Sequence, residues 1–184
     1  MIRFQNVSFA FGDTPVFEGL TLDIPPKCVL KGPSGRGKTT LLRLAAGLLR
    51  PQAGTITGAP EKIAFLFQDD RLMPWLTAEE NVAAVLPKER RHEAAAWLRR
   101  VELASLPDAR PDEMSGGQRR RVALARVLAY GGELLLLDEP FKGLDPALTE
   151  RMAALVLESG ADILMASHAE REAALIGGEV IDLQ

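Results

Sequence analysis

Apolar and polar positions alternate over residues 2–9 and 20–24, as they do in half-buried strands. Val29-Leu30-Lys31 is a short apolar run leading into a glycine-rich segment. Beyond it Leu41, Leu42, Leu44, Ala45 and Leu48 recur at helical spacing. Gly54 to Gly58 predicts a short strand between turns, and Ile63 to Phe67 a buried strand ending at Gln68. The pattern then turns helical. Thr77-Ala78-Glu79-Glu80 has capping-box spacing and predicts a helix through Val85. Ala94, Trp97, Leu98 and Val101 share one face amid many charges. Ser115-Gly116-Gly117-Gln118 repeats the capping-box spacing ahead of Val122, Ala123, Ala125, Arg126 and Ala129. Leu134 to Leu137 is a continuous apolar strand, the mark of a sheet covered on both faces. A helix from Pro146, a strand Asp162–Ala166, a short helix Glu170–Ile176 and a last strand Glu179–Leu183 complete the pattern.

Composition narrows this little. A chain of 184 residues fits one domain with a proper core, and 47% hydrophobic with 26% charged residues is ordinary for a globular protein. A net charge of −3 gives no support for general nucleic-acid binding. The basic clusters Arg90-Arg91, Arg99-Arg100 and Arg119-Arg120-Arg121 fall in predicted helices and read as solvated faces, as does His92. The single cysteine, Cys28, excludes a disulfide within the chain, suits a reducing compartment and reads as a small buried hydrophobe. No apolar run approaches the ~20 residues of a membrane span. Met1 to Gln5 shows no signal-peptide core, so any membrane role is expected to run through a partner.

The chemistry sits in two places. Gly32-Pro33-Ser34-Gly35-Arg36-Gly37-Lys38-Thr39 matches the phosphate-loop pattern G-x-x-x-x-G-K-[ST] at every fixed position, between a strand and a helix that opens with Thr40. Closely spaced glycines let backbone N–H groups converge on phosphate oxygens at a helix start. Lys38 is expected to reach the β- and γ-phosphates and Thr39 to offer its hydroxyl to Mg²⁺. Apolar Leu134–Leu137 delivers Asp138-Glu139 to the carboxyl edge of a parallel sheet, where ligands bind. Asp138 is expected to hold Mg²⁺ through water, and Glu139 to polarise the attacking water as general base. The bland alternatives, a Gly-rich turn and an acidic helix start, do not account for both segments together. These features predict an α/β fold of the P-loop NTPase (RecA-like) class with a mostly parallel sheet and an N-terminal antiparallel β portion. Residues 1–69 and 131–184 would form the nucleotide-binding core of a single domain, and about 70–130 a helical subdomain.

Over nearly its whole length the chain resembles the ATP-binding-cassette (ABC) ATPases. Ser115-Gly116-Gly117-Gln118, after Met114 where Leu is typical, is similar to the family signature. Gln68 matches the glutamine loop, Gly143-Leu144-Asp145-Pro146 the D-loop, and Ser167-His168 the switch-histidine segment. Phe11 stands where an aromatic, usually Tyr, stacks on adenine, and a Phe ring suffices for stacking. The resemblance implies ATP and Mg²⁺ as ligands, with Gln68 near the metal and His168 on the γ-phosphate as a neutral donor. It also implies a head-to-tail dimer in which Ser115, Gly116, Gly117 and Gln118 of one chain, with Asp145 nearby, complete the nucleotide site of the other. Pro26-Lys27, Lys142-Gly143 and Ala169 depart from the family pattern without removing a catalytic group. The chain is also expected to lack the C-terminal regulatory extension of many importer ATPases.

Leu72 to Thr77, followed by Glu80-Asn81-Val82, resembles importer ATPases of the nitrate, sulfonate and taurine type. In that reading Asp69–Asn81 receives a coupling helix from an integral-membrane permease, with Trp75 and Met73 exposed. The alternative is that Trp75 and Leu72 belong to the subdomain core. The expected function is therefore the ATP-hydrolysing subunit of an ABC transporter, an importer, driving a separate membrane permease as a head-to-tail dimer from the cytoplasm, peripheral on the cytoplasmic face of the inner membrane. A soluble ABC ATPase acting on DNA or ribosomes, and a small-molecule kinase, are the competing classes. Neither coiled-coil insertion nor second cassette supports the former, and the signature and Ser167-His168 would be coincidences in the latter.

Overall fold

The computed structural model describes residues 1–33 and 35–183. Strands β1 (Ile2–Phe11), β2 (Thr14–Ile24) and β4 (Ala53–Thr57) form a three-stranded antiparallel sheet in the order β2-β1-β4. Strands β3 (Lys27–Lys31), β5 (Ile63–Leu66), β6 (Leu134–Asp138), β7 (Asp162–Ala166) and β8 (Glu179–Asp182) form a second sheet in the order β5-β6-β7-β3-β8. Every pairing in the second sheet is parallel. Helix α1 (Lys38–Ala45) follows β3. Helices α2 (Ala78–Ala83), α3 (Ala94–Arg100) and α4 (Gly116–Tyr130) lie between β5 and β6. Helices α5 (Pro146–Glu158) and α6 (Glu170–Ile176) flank β7.

The two-residue period of the parallel strands divides the interior into two cores. Cys28, Leu30, Leu134, Leu136, Leu164 and Ala166 face α1 and the antiparallel sheet, packing with Phe4, Phe9, Leu41 and Leu44. Val29, Leu135, Leu137, Ile163 and Met165 face the other way, toward α2 to α5, with Leu98, Leu124 and Met152. Strand β6 is buried throughout, which is why its sequence is uninterrupted leucine rather than alternating. Each buried Leu there contributes about 1.5–3 kcal/mol relative to exposure.

Element ends differ from the sequence expectation where local chemistry intervenes. Strand β1 extends to Phe11, because the hairpin turn falls at Gly12-Asp13, where Gly12 takes φ +55°. Helix α2 stops at Ala83 rather than Val85, since Pro87 lies just beyond and disfavours helix before it. Residues 88–93, including Arg90 and Arg91, form a 3₁₀ turn leading into α3.

Candidate active site

Because the sheet is parallel, the carboxyl ends of β3, β5, β6 and β7 lie along one edge, and the chain leaving each strand carries a different chemical group. β3 delivers the phosphate loop, β5 delivers Gln68, β6 ends at Asp138 before Glu139, and β7 leads into Ser167-His168. A cleft of about 380 Å³ lies there, lined by Gly35, Gly37, Lys38, Thr39, Thr40, Gln68, Asp138, Glu139 and His168, with Phe11, Thr14 and Val16 reaching it from the antiparallel sheet. Phe11 is half exposed, its ring set edge-on to Phe9 at 4.9 Å, so one face is free for a planar partner.

The loop geometry requires its glycines. Gly37 caps α1 at φ +84°, and a Cβ there would come within 2.7 Å of the Phe17 ring and 2.8 Å of Val16. The first intrahelical bond runs from Leu41 N–H to Gly37 C=O at 2.7 Å, so the amides of Lys38, Thr39 and Thr40 have no helical acceptor. They form an anion-seeking helix start. Lys38 Nζ donates to the carbonyls of Gly32 (2.6 Å) and Pro33 (2.9 Å), holding the ammonium inside the loop. Burial lowers the Lys38 pKa, opposed by the carboxylates of Glu139 and Asp138. Arg36 is exposed and lines an adjoining cleft of about 440 Å³ with Asp182 and Leu183. Ser34 lies outside the described residues.

Thr39 Oγ1 donates to Asp138 Oδ2 at 2.7 Å, so hydroxyl and carboxylate already face one another. Asp138 is 3% exposed, and burial raises its pKa. The Thr39 bond and the positive Arg120 and Arg43 oppose the rise, while Glu139 adds to it. A hard divalent cation fits this oxygen pair. Among the described residues no three His, Cys, Asp or Glu side chains cluster to hold a metal; Gln68 lines the same cleft and, with Thr39, Asp138 and substrate oxygens, would complete a cation site.

Glu139 adopts φ +51°, a left-handed conformation that costs a non-glycine residue about 1–3 kcal/mol. Its N–H donates to Ala166 C=O at 2.9 Å, tying it to the end of β7. Its carboxylate meets His168 Nε2 at 3.0 Å and Lys142 Nζ at 3.7 Å. Ser167 Oγ donates to Glu172 (2.6 Å) and accepts from Ala169 N–H (3.0 Å), which anchors the turn presenting His168. Glu172 thus reaches, through Ser167, the turn at Ala169, one of the positions where the chain departs from the family pattern.

Ser115, Gly116, Gly117 and Gln118 do not line this cleft. They start α4 as a capping box: Ser115 Oγ accepts from Gln118 N–H (3.2 Å) and Gln118 Oε1 accepts from Ser115 N–H (2.7 Å). The Ser115 hydroxyl proton remains available to donate. A Cβ on Gly117 would lie 3.1 Å from the Gly143 carbonyl, so this helix start packs against the loop before α5. Asp145 caps α5, accepting from Leu148 N–H at 2.9 Å, and also stands off the cleft.

Residues 17–142 match the family described as ABC transporter. This chain belongs to the ABC transporter family. Its curated relatives include the aliphatic sulfonates import ATP-binding protein SsuB of Granulibacter bethesdensis, 42% identical over all of this chain and 80% of that protein. Another is the taurine import ATP-binding protein TauB of Mesorhizobium japonicum, 42% identical over 92% of this chain and 73% of the relative. Among solved structures, a dimeric ATP-binding cassette in a post-hydrolysis state with ADP and Pi superimposes with a TM-score of 0.88 at 29% identity. That match covers all of this chain and 94% of the other.

Two further regions of this ABC ATPase depart from simple expectation. Asn81 is fully buried and ties down the loop before α2. It accepts from Met73 N–H (2.8 Å) and donates to the carbonyls of Met73, Leu76 and Thr77 at 2.9–3.2 Å. The two readings of that loop divide between its residues: Leu72 packs on the core, whereas Trp75 is 69% exposed. The Arg119–Arg121 run is not a solvated face. Arg119 donates to the carbonyls of Pro111 and Met114, Arg121 to those of Val101 and Glu102, and Arg120 is 3% exposed. Sequence reasoning missed Arg120 by weighing its charge alone. Its spacing from the buried Ala123, Leu124 and Val127 puts it on the inward stripe of α4. Among the described residues no helix is long and apolar enough to cross a membrane.

Proposed function

We propose that this chain is the ATP-hydrolysing subunit of an ABC importer, working as a head-to-tail pair on a separate membrane permease. The reading rests on one arrangement above all. The Thr39–Asp138 pair and the His168–Glu139 pair share one sheet edge with the phosphate loop, while Ser115–Gln118 stands apart from it.

In this reading the amides of residues 35–40 and the Lys38 ammonium hold the β- and γ-phosphates, and Phe11 stacks on adenine. Thr39, Gln68 and, through water, Asp138 would hold Mg²⁺, which would neutralise charge on the phosphate oxygens. Glu139 takes a proton from water as the water oxygen bonds to the γ-phosphorus. The bond to the β–γ bridging oxygen breaks, giving ADP and inorganic phosphate. Substrate entry exchanges the His168–Glu139 contact for one from His168 to the γ-phosphate. A partner chain brings Ser115 and the amides of Gly116 and Gly117 onto the same phosphate, with Gln118 closing their cap and Asp145 lying alongside.

The loop Asp69–Asn81, with Trp75 exposed on an Asn81-braced turn, suits a permease segment, and co-purification of a membrane subunit checks this. The site would then work at the cytoplasmic face of the inner membrane. Alkanesulfonates and taurine are the first cargo to test, because the relatives are named for importing them.

Glu139→Gln decides the matter. It should bind ATP, turn it over about 10³-fold more slowly, and accumulate as an ATP-dependent dimer in size-exclusion chromatography. A variant that stays monomeric at saturating ATP would sink the composite-site reading.

A further inference from the structure

Arg120 is a buried cation whose donors all point at the catalytic edge. Its Nε donates to Pro140 C=O (3.2 Å) and its Nη2 to the carbonyls of Glu139 (2.8 Å) and Asp138. Its Nη1 donates to the carbonyls of Phe67 (2.6 Å) and Gln68 (3.4 Å) and pairs with Asp70 at 3.1 Å. A guanidinium has five N–H donors in a rigid plane, and this ring of acceptors occupies all of them. Lysine has three donors and no plane, and glutamine has two.

Apart from the Asp70 carboxylate, these acceptors are backbone carbonyls at and beside Gln68 and Glu139, two of the residues that line the cleft. Glu139 sits at φ +51°, with its N–H on Ala166 and the carbonyls of Asp138, Glu139 and Pro140 all on Arg120. The same guanidinium takes the carbonyls of Phe67 and Gln68, so past Leu66–Leu137, the last pair of the β5–β6 ladder, one side chain bridges the Glu139 and Gln68 backbones. Arg120 stands on α4, the helix whose first turn is Ser115–Gln118.

We propose that Arg120 is a positioning residue for ATP hydrolysis. It holds the left-handed backbone at Glu139 and the backbone at Gln68 in fixed relation, and joins both rigidly to the helix that starts at Ser115. This rests on Glu139 being the general base, as proposed above. Arg120 touches no substrate; it acts through the carboxylate it places. Arg120 is also the one member of its basic run that binds both Asp138-Glu139-Pro140 and Phe67-Gln68, which separates it from Arg119 and Arg121.

The test uses Arg120→Lys and Arg120→Gln in the full chain, each alone and combined with Glu139→Gln. Misplacing a base by about an ångström slows chemistry about 10²-fold. The expected result is a fall of that order in kcat with KM for ATP unchanged. Little further loss is expected in the Glu139→Gln background, because residues acting as a unit are not additive. Arg120→Lys should retain more turnover than Arg120→Gln, since it keeps the charge beside Asp70. Two outcomes overturn the proposal: unchanged kcat in both single variants, or an equal fall with and without Glu139. Wild-type turnover in Glu139→Gln would overturn the function reading itself, whatever the Arg120 variants do.

Discussion

Two glycine-rich helix starts in this chain use the same physics in different surroundings. The one at Gly32–Thr39 lies at the carboxyl edge of a parallel sheet, where three other strands bring Gln68, Asp138, Glu139 and His168 to it. The one at Ser115–Gln118 does not line the cleft that holds Glu139. It caps itself and packs against Gly143. A helix start alone supplies an anion clamp, and only the sheet edge adds the groups that could break a bond. Under the proposed function the first segment carries the chemistry and the second holds the phosphate, the division of labour expected of a site shared between two copies.

The strongest way to break that contrast is at Lys38. Lys38→Ala should lower ATP turnover about 10²–10³-fold and weaken nucleotide binding by the single chain, read by fluorescent-nucleotide titration. Unchanged affinity and turnover would remove the phosphate-loop assignment. Ser115→Ala should act differently. It loses a helix cap, about 1 kcal/mol of stability, and leaves ATP affinity of the single chain intact. In the Glu139→Gln background it should weaken the ATP-dependent dimer, measured by analytical ultracentrifugation. Loss of single-chain ATP affinity would show that the two segments are not separate.

The smallest expected effect concerns Asp138 and sharpens the contrast energetically. Burial raises its pKa in the ligand-free fold, so the folded state binds its proton more tightly than the unfolded chain. Stability then falls as pH rises from the usual aspartate pKa of about 3.9 through the raised value, and stays lower above it. Asp138→Asn, which can still accept from Thr39, should melt higher than wild type at neutral pH without nucleotide or metal. The gap should close toward acid pH in thermal scans. A gap that persists at low pH would assign the difference to something other than this ionisation. Among the described residues Asp138 is the buried acid, and it stands at the phosphate-loop edge rather than at Ser115–Gln118.

Much of this was legible in the chain itself. Leu134–Leu137 announced a strand buried on both faces, and Thr77–Glu80 and Ser115–Gln118 announced capping boxes that the structure contains. The helix ends were less legible, because Pro87 acted on α2 from several residues away. Arg120 was illegible as charge. Its fate depends on carbonyls at Phe67 and Asp138, 53 and 18 residues distant in sequence, which no local pattern contains. Trp75 and Leu72 likewise read alike in sequence and parted only when Asn81 bonded the turn between them.

Local spacing alone determined the residue types that can cradle a phosphate, because the glycine, lysine and hydroxyl positions act within one turn of one helix start. It also determined which strands are buried, because hydrophobic periodicity is written residue by residue. Only the tertiary structure decided that Thr39 meets Asp138, that His168 meets Glu139, and that Arg120 binds the peptide groups around Glu139 and Gln68. Those meetings depend on a strand order of β5-β6-β7-β3-β8, in which strands far apart in sequence become neighbours and carry their carboxyl ends to one edge.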